Sequence, residues 1–228
     1  MSAVPCLENQ QAPEKLEISA MDKERLTTFE DAVLAIIMTI LVLELKKPDV
    51  VSLEGLWMLR SNFFAYGLSF FWIGLMWVSH HNNWRLVQKI DLTTIYLTLL
   101  LLFFSSLFPY TTSLVADNFS NATAQALYGV VIILISLTNV LISLNLRSVN
   151  PQAHFGLLYK TPNWIVCLDL VIKGIGFITS LMFFAPAMMI SIFLASLAIV
   201  VGLAQGRHES NGSAREIHME PLEDCFGS

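Results

Sequence analysis

Polar residues in this chain fall in short clusters between long apolar runs. Helices are predicted near residues 26–46, 55–79, 92–115, 123–146, 163–184 and 186–206, because about 20 apolar residues span the ~30 Å hydrocarbon core of a bilayer. The first segment differs from the rest. Its uninterrupted apolar run, residues 32–43 apart from Thr39, is too short to cross, so a crossing helix must carry Glu30 and Asp31 inward. An ionisable residue at that depth is costly unless paired or wet, which places the helix inside a bundle or beside water.

At ~100° per residue, Arg25, Phe29, Ala32, Ile36, Thr39, Ile40, Leu43 and Lys47 lie within about 60° of one line. The stripe is apolar in the middle, carries one hydroxyl, and is charged at both ends. Asp31 points away from it, towards the face of Leu34, Met38 and Leu45. Two arrangements satisfy this pattern: a helix whose stripe lines a narrow path while Asp31 is buried against neighbours, or a helix packed on all sides in a bundle core.

Composition agrees with a membrane location. Hydrophobic residues make up 55% of the 228 and charged residues 14%, against about 25% charged in soluble domains. The expected class is an all-α membrane protein with six transmembrane helices, made of a disordered arm (1–20), a helical unit (21–206) and a disordered tail (207–228). Lys and Arg favour the arm, the second and fourth loops and the tail; the third and fifth loops have none. By the positive-inside rule both termini are cytoplasmic. The net charge of -5 says little about partners, because much of the acid lies in the two tails. Cys6, Cys167 and Cys225 are too scattered for a disulfide framework, and the polar residues 1–24 offer no cleavable signal.

Candidate chemistry is sparse. His80 and His81 point about 100° apart on a helix and cannot chelate one metal as an i, i+4 pair would, so no metal site is expected. His80 is either an interfacial histidine bonded to water or a partner for Asp31. Asp91 opens the third helix, and Pro109 closes or kinks it. Asn118 and Asn121 match the glycosylation pattern on the outer side. Asn139 and Asn145 read as interhelical glue, and Asp169 with Lys173, four apart, as a self-neutralising pair. Gly202 and Gly206 form a GxxxG. No nucleophile pairs with a base, so no catalytic residue, enzyme activity or cofactor is expected, and no nucleic-acid partner.

Arg25-Leu-Thr-Thr-Phe29-Glu30-Asp31 followed by AVLAIIMTILVLELKKP resembles the R-x-x-x-F-S-D first helix of the transmembrane protein 175 family of potassium channels. Trp77-Val-Ser-His80, Asp91 and Phe108-Pro109-Tyr110-Thr111 extend the likeness over residues 25–115. The resemblance implies a six-helix unit assembled as a homotetramer, with helix 1 lining a central pore. It also implies a hydrophobic constriction at Ile36 and a threonine layer at Thr39, with Ile40 and Leu43 further along the stripe. Arg25, Phe29, Asp31, Trp77, His80 and Asp91 are then expected to form a network anchoring helix 1 near the cytoplasmic side. Two departures stand out: Glu30 replaces the motif serine, and Thr98 stands where relatives carry an asparagine bonded to helix 1.

The expected function is a K+-permeable cation channel of the inner or plasma membrane, with itself, the lipid bilayer and K+ as partners. No TVGYG-like loop offers a carbonyl ladder, so selectivity would arise at Ile36 and Thr39. The rival is a secondary transporter, which would require a mid-membrane substrate site and usually repeats or broken helices.

Overall fold

A computed structural model of the chain describes residues 12–152, 163–197 and 200; at helical residues 12–22 and 163–167 it describes the backbone alone. Among the described residues the structure is entirely helical: α1 (Ala12–Leu43), α2 (Leu53–Met58), α3 (Arg60–Trp84), α4 (Leu92–Ser106), α5 (Phe108–Asp117), α6 (Ala122–Val149), α7 (Asn163–Met182) and α8 (Ala187–Leu197).

Four segments are long and apolar enough to cross a membrane: Lys23–Leu43, Arg60–Trp84, Leu92–Asp117 and Ala122–Val149. They coincide with the first four predicted spans. The fifth and sixth predictions fall on α7 and α8; residues 201–206 of the sixth, with Gly202 and Gly206, lie outside the described residues.

Boundaries depart from the sequence expectation for local reasons. α1 begins at Ala12, taking in residues 12–20 of the supposed disordered arm, and Pro13 stands in its first turn, where a missing N–H costs nothing. It ends at Leu43 rather than near 46, because Glu44 and Leu45 donate three residues back, to Leu41 and Val42, and the chain then reaches Pro48. α2 is a separate turn capped by Ser52, whose side chain accepts the Gly55 N–H. α3 continues to Trp84, so His80 and His81 are helical. The predicted third helix breaks at Leu107, with Pro109 in the first turn of α5.

α1 packs against α3, α4 and α5, while α6 packs against α4, α5 and α7. Trp72, Phe108 and Tyr128 meet at the centre, with Phe108 and Tyr128 stacked 5.4 Å apart. Ser69 lies 2.9 Å from the Tyr128 hydroxyl and accepts from Thr112 at 2.9 Å. In lipid, helix association rests on packing and such bonds rather than on apolar burial from water. Small residues let α7 and α8 approach closely: a Cβ on Gly176 would stand 2.1 Å from Ser191 Oγ.

Candidate functional site: the two faces of the first helix

α1 has one buried face and one bare face. Leu26, Glu30, Leu34, Ile37 and Leu41 are buried against the bundle, a run with the i, i+4, i+7 spacing of a single helix side. Arg25, Phe29, Ala32, Ile36, Thr39, Ile40 and Leu43 are all exposed; Ile36 is 57% and Leu43 78% exposed. The predicted stripe is therefore a surface no part of the described chain covers. Thr39 donates its hydroxyl proton to the Ile36 carbonyl at 2.7 Å, leaving the oxygen's lone pairs available on the exposed side.

The buried face is held by Glu30, only 1% exposed. Its carboxylate accepts from His80 Nδ1 and, at 2.8 Å, from Trp84 Nε1; the opposite ring nitrogen of His80 meets Asn139 Oδ1 on α6. A line of polar groups thus runs from α1 through α3 to α6. Of the two readings of His80, a histidine bonded to water or a partner for Asp31, neither holds, and the inclusion of Asp31 in a buried network is corrected: Asp31 is exposed and, among the described residues, accepts one bond, from Trp77 Nε1 at 2.7 Å. The reason is angular. Glu30 lies at the centre of the arc set by Leu26, Leu34, Ile37 and Leu41, whereas Asp31, ~100° further round, falls about 60° outside it.

Arg25 and Asp91 do not join this cluster. Arg25 is exposed, with no partner among the described residues. Asp91 is the N-cap of α4: it accepts from the Thr94 amide (2.9 Å), the Thr94 hydroxyl (2.6 Å) and Asn145 (2.8 Å). Burial would raise its carboxyl, but these donors and Thr93 outweigh that and hold it at about 2, below the ordinary 3.8. Phe29 sits on the bare stripe, 50% exposed. Thr98 donates to Thr94 in its own helix at 2.9 Å, so it does not replace an asparagine's reach to α1.

Several contacts were not foreseen. Asn150 accepts the amides of Gln88 and Lys89 and donates to the Lys89 carbonyl, pinning the α3–α4 loop to the end of α6. Lys23 donates to the Val87 carbonyl in the same loop at 2.6 Å. At the other end of α1, Lys46 pairs with Asp117 at 2.8 Å, and Asn62 donates to the same carboxylate at 3.0 Å. Asn139 and Asn145 do bridge helices, and Asp169 pairs with Lys173 at 2.6 Å. Asn121 caps α6, accepting from Thr123 and Ala124.

Comparison with known proteins gives these features a context. A family model described as the endosomal/lysosomal potassium channel TMEM175 matches residues 25–109. A potassium channel of Chryseobacterium sp. is 39% identical over 114 residues, covering 50% of this chain and 59% of that one. One from Streptomyces collinus is 32% identical over 121 residues, with the same coverage. The chain thus spans less than two thirds of these relatives' lengths. The fold is similar to the crystal structure of a lysosomal potassium-selective channel TMEM175 homolog from Chamaesiphon minutus, with a TM-score of 0.54 at 23% identity, over 78% of this chain and 98% of that one. In the sequence of its first half and in its fold, this multi-pass membrane protein resembles the prokaryotic branch of the TMEM175 potassium-channel family.

Proposed function

We propose that the chain forms a K+-permeable cation channel as a homotetramer, with α1 facing a central axis. The observation that carries this reading is the bare stripe of α1. A transmembrane helix with one side fixed by Glu30, Leu34, Ile37 and Leu41 presents Ile36, Thr39, Ile40 and Leu43 outward in register. A single helix cannot enclose a path, whereas symmetric copies of it can. The family model, which matches residues 25–109, and the potassium-channel relatives support the choice of ion.

In this arrangement Ile36 forms an apolar ring and Thr39 a hydroxyl ring about one turn further along. Ile36 offers an ion nothing, so the neck conducts when it widens enough to hold water. Thr39, its proton committed to the Ile36 carbonyl, presents an oxygen that accepts contact from a partly dehydrated cation. Ile40 and Leu43 extend the apolar wall. Selectivity for K+ over Na+ is modest, since hydroxyls from one residue per copy replace only part of a hydration shell. The channel lies in the inner or plasma membrane with both termini cytoplasmic.

The test is the reversal potential of purified protein in planar bilayers under K+ and Na+ gradients, with mass measurement in detergent alongside. Unitary currents that favour K+ and a mass of four chains are expected. Coupled, saturable flux without unitary currents would replace the channel with a secondary transporter, and a stable conducting monomer would refute the central path.

A further inference from the structure

On α3, the residues that reach α1, namely Trp77, His80 and Trp84, stand on one side. About 150° round the same helix lie Phe64, Gly67, Phe71 and Leu75, which with Phe193 and Leu197 of α8 line an open groove of about 460 Å³. The groove therefore faces away from α1. The rings of Phe64 and Phe193, 6.5 Å apart, join its two walls. The one polar side chain lining it, Ser196, donates back to the Ile192 carbonyl at 2.8 Å, so its proton is already committed within its own helix.

Gly67 leaves the floor of the groove open. A Cβ there would meet nothing within 4 Å, whereas one on Gly129 would press on Met188 and one on Gly176 would collide with Ser191. A glycine inside a helix costs about 1 kcal/mol relative to alanine, and at Gly67 no close approach of another helix requires it. What it provides is room. From Phe64 to Leu75 the groove follows α3 for ~17 Å at a rise of ~1.5 Å per residue. That is close to the ~15 Å that one leaflet contributes to the ~30 Å hydrocarbon core of a bilayer.

Arg60 stands at the head of the same line, since positions 60, 64, 67, 71 and 75 repeat with the spacing of one helix side. It is exposed, and the span Arg60–Trp84 begins with it. Its Nη1 donates to the Trp57 carbonyl at 3.3 Å, and its guanidinium lies 5.9 Å from the centre of the Trp57 ring. These contacts hold the side chain and leave most of its N–H groups for another acceptor. Trp57 is exposed beside it, as an aromatic anchor at headgroup level is. An apolar slot one leaflet deep, headed by a held guanidinium, matches a molecule with a hydrocarbon chain and an anionic head. We propose that this groove binds one phospholipid of the bilayer, with an acyl chain laid over Gly67 between α3 and α8 and the phosphate on Arg60. Lipid fits better than a second copy of the chain, because the groove is turned from the bare stripe of α1, the surface assigned above to other copies.

Two measurements on the full chain test this, and neither depends on ion flow, so they stand or fall apart from the channel reading. The first is native mass spectrometry of detergent-purified protein incubated with phosphatidylglycerol. The parent should retain the lipid on dilution, and Gly67→Leu, which fills the groove without a collision, should retain several-fold less. Gly174→Leu is the control, since a Cβ there also meets nothing within 4 Å but lies on α7, outside the groove. Arg60→Gln should weaken retention of phosphatidylglycerol several-fold and leave that of a diacylglycerol with the same chains unchanged. Unchanged phosphatidylglycerol retention in Gly67→Leu or in Arg60→Gln, or an equal loss in Gly174→Leu, overturns the proposal. So does a Gly67→Leu protein that keeps its lipid but loses its assembly, which would make the groove a contact between copies. The second measurement uses the parent alone and so decides even if Gly67→Leu does not fold. In nanodiscs, a phosphatidylglycerol with a photoreactive diazirine halfway along one chain should label Phe71 and Leu197 several-fold more than Phe103 and Ile175, which are also exposed. An even spread of label means ordinary contact with bulk lipid and ends the idea.

Discussion

His80→Ala removes the central link between α1 and the bundle, and its effect follows from what is left behind. Glu30, 1% exposed, keeps only the Trp84 N–H, and a carboxylate stripped of its partner inside a protein costs about 3–5 kcal/mol. For a domain of this size that corresponds to roughly 2–4 °C in Tm per kcal/mol, a drop on the order of 10 °C. Trp77→Phe provides the comparison. It removes the one bond to Asp31, but Asp31 is exposed and is rehydrated, so the loss is about 1 kcal/mol or less. Both variants are to be unfolded thermally in the same detergent, together with Glu30→Leu, His80→Leu and the double variant Glu30→Leu/His80→Leu. The double variant should be more stable than His80→Leu alone, since removing both members of a buried pair avoids the stranded charge. If Trp77→Phe proves as damaging as His80→Ala, or the double variant is as unstable as the sum of its parts, Glu30 is not the buried anchor of α1.

On the bare face, Ile36→Asn should wet the neck, raising leak current and Na+ permeability, while Thr39→Val, which keeps the shape and loses the oxygen, should lower the preference for K+; reversal potentials unchanged in both would remove α1 from the path. Asp91→Asn should cost about 1 kcal/mol through the weakened cap. Because the folded carboxyl sits at about 2, below its ordinary 3.8, its contribution is full above pH ~4 and is lost as pH falls towards 2. The acid-unfolding profile of Asp91→Asn should therefore be flatter across that window than the parent's, and parallel profiles would contradict the assignment. Gly176→Ala places a Cβ 2.1 Å from Ser191 Oγ and should destabilise by about 1–3 kcal/mol, with Ser191→Gly restoring most of it; absence of rescue would mean that the close approach of α7 and α8 is not the cause.

Much of this architecture is legible in the residues. The four spans announce themselves by length and apolarity, and the stripe from Phe29 to Leu43 by its period, because a helix that exposes one side must repeat every 3.6 residues. Asn139, Asn145 and the Asp169–Lys173 pair are visible because polar groups in an apolar run must find one another. What was misread is which acid faces inward. Glu30 and Asp31 are neighbours, and the one-residue difference is a rotation of ~100°; the motif drew attention to Asp31, whereas the phase of Leu26, Leu34, Ile37 and Leu41 selects Glu30. The distribution of Asp91 and His80 over two sites was illegible for another reason. Their separation depends on how α4 and α6 cross, and no local pattern encodes it. Asn150 gave no signal at all, because a side chain that captures a distant loop's amides looks in sequence like any polar residue at a helix end.

The Glu30–His80–Asn139 line also bears on how such a chain can change over generations. In the motif it resembles, position 30 is a serine, a single hydroxyl. Here one carboxylate receives protons from two side chains, His80 and Trp84. Reverting Glu30 to serine on its own would leave at least one of those donors facing nothing in a place water reaches poorly, and replacing Trp84 alone would leave an oxygen bare. Each single step is a descent, while a joint change is level. Because the resembled motif keeps a histidine at position 80 beside its serine, the coupling falls on the second donor: position 84 is expected to change together with position 30, so that an acid at position 30, once held by Trp84, is not readily lost by a single replacement.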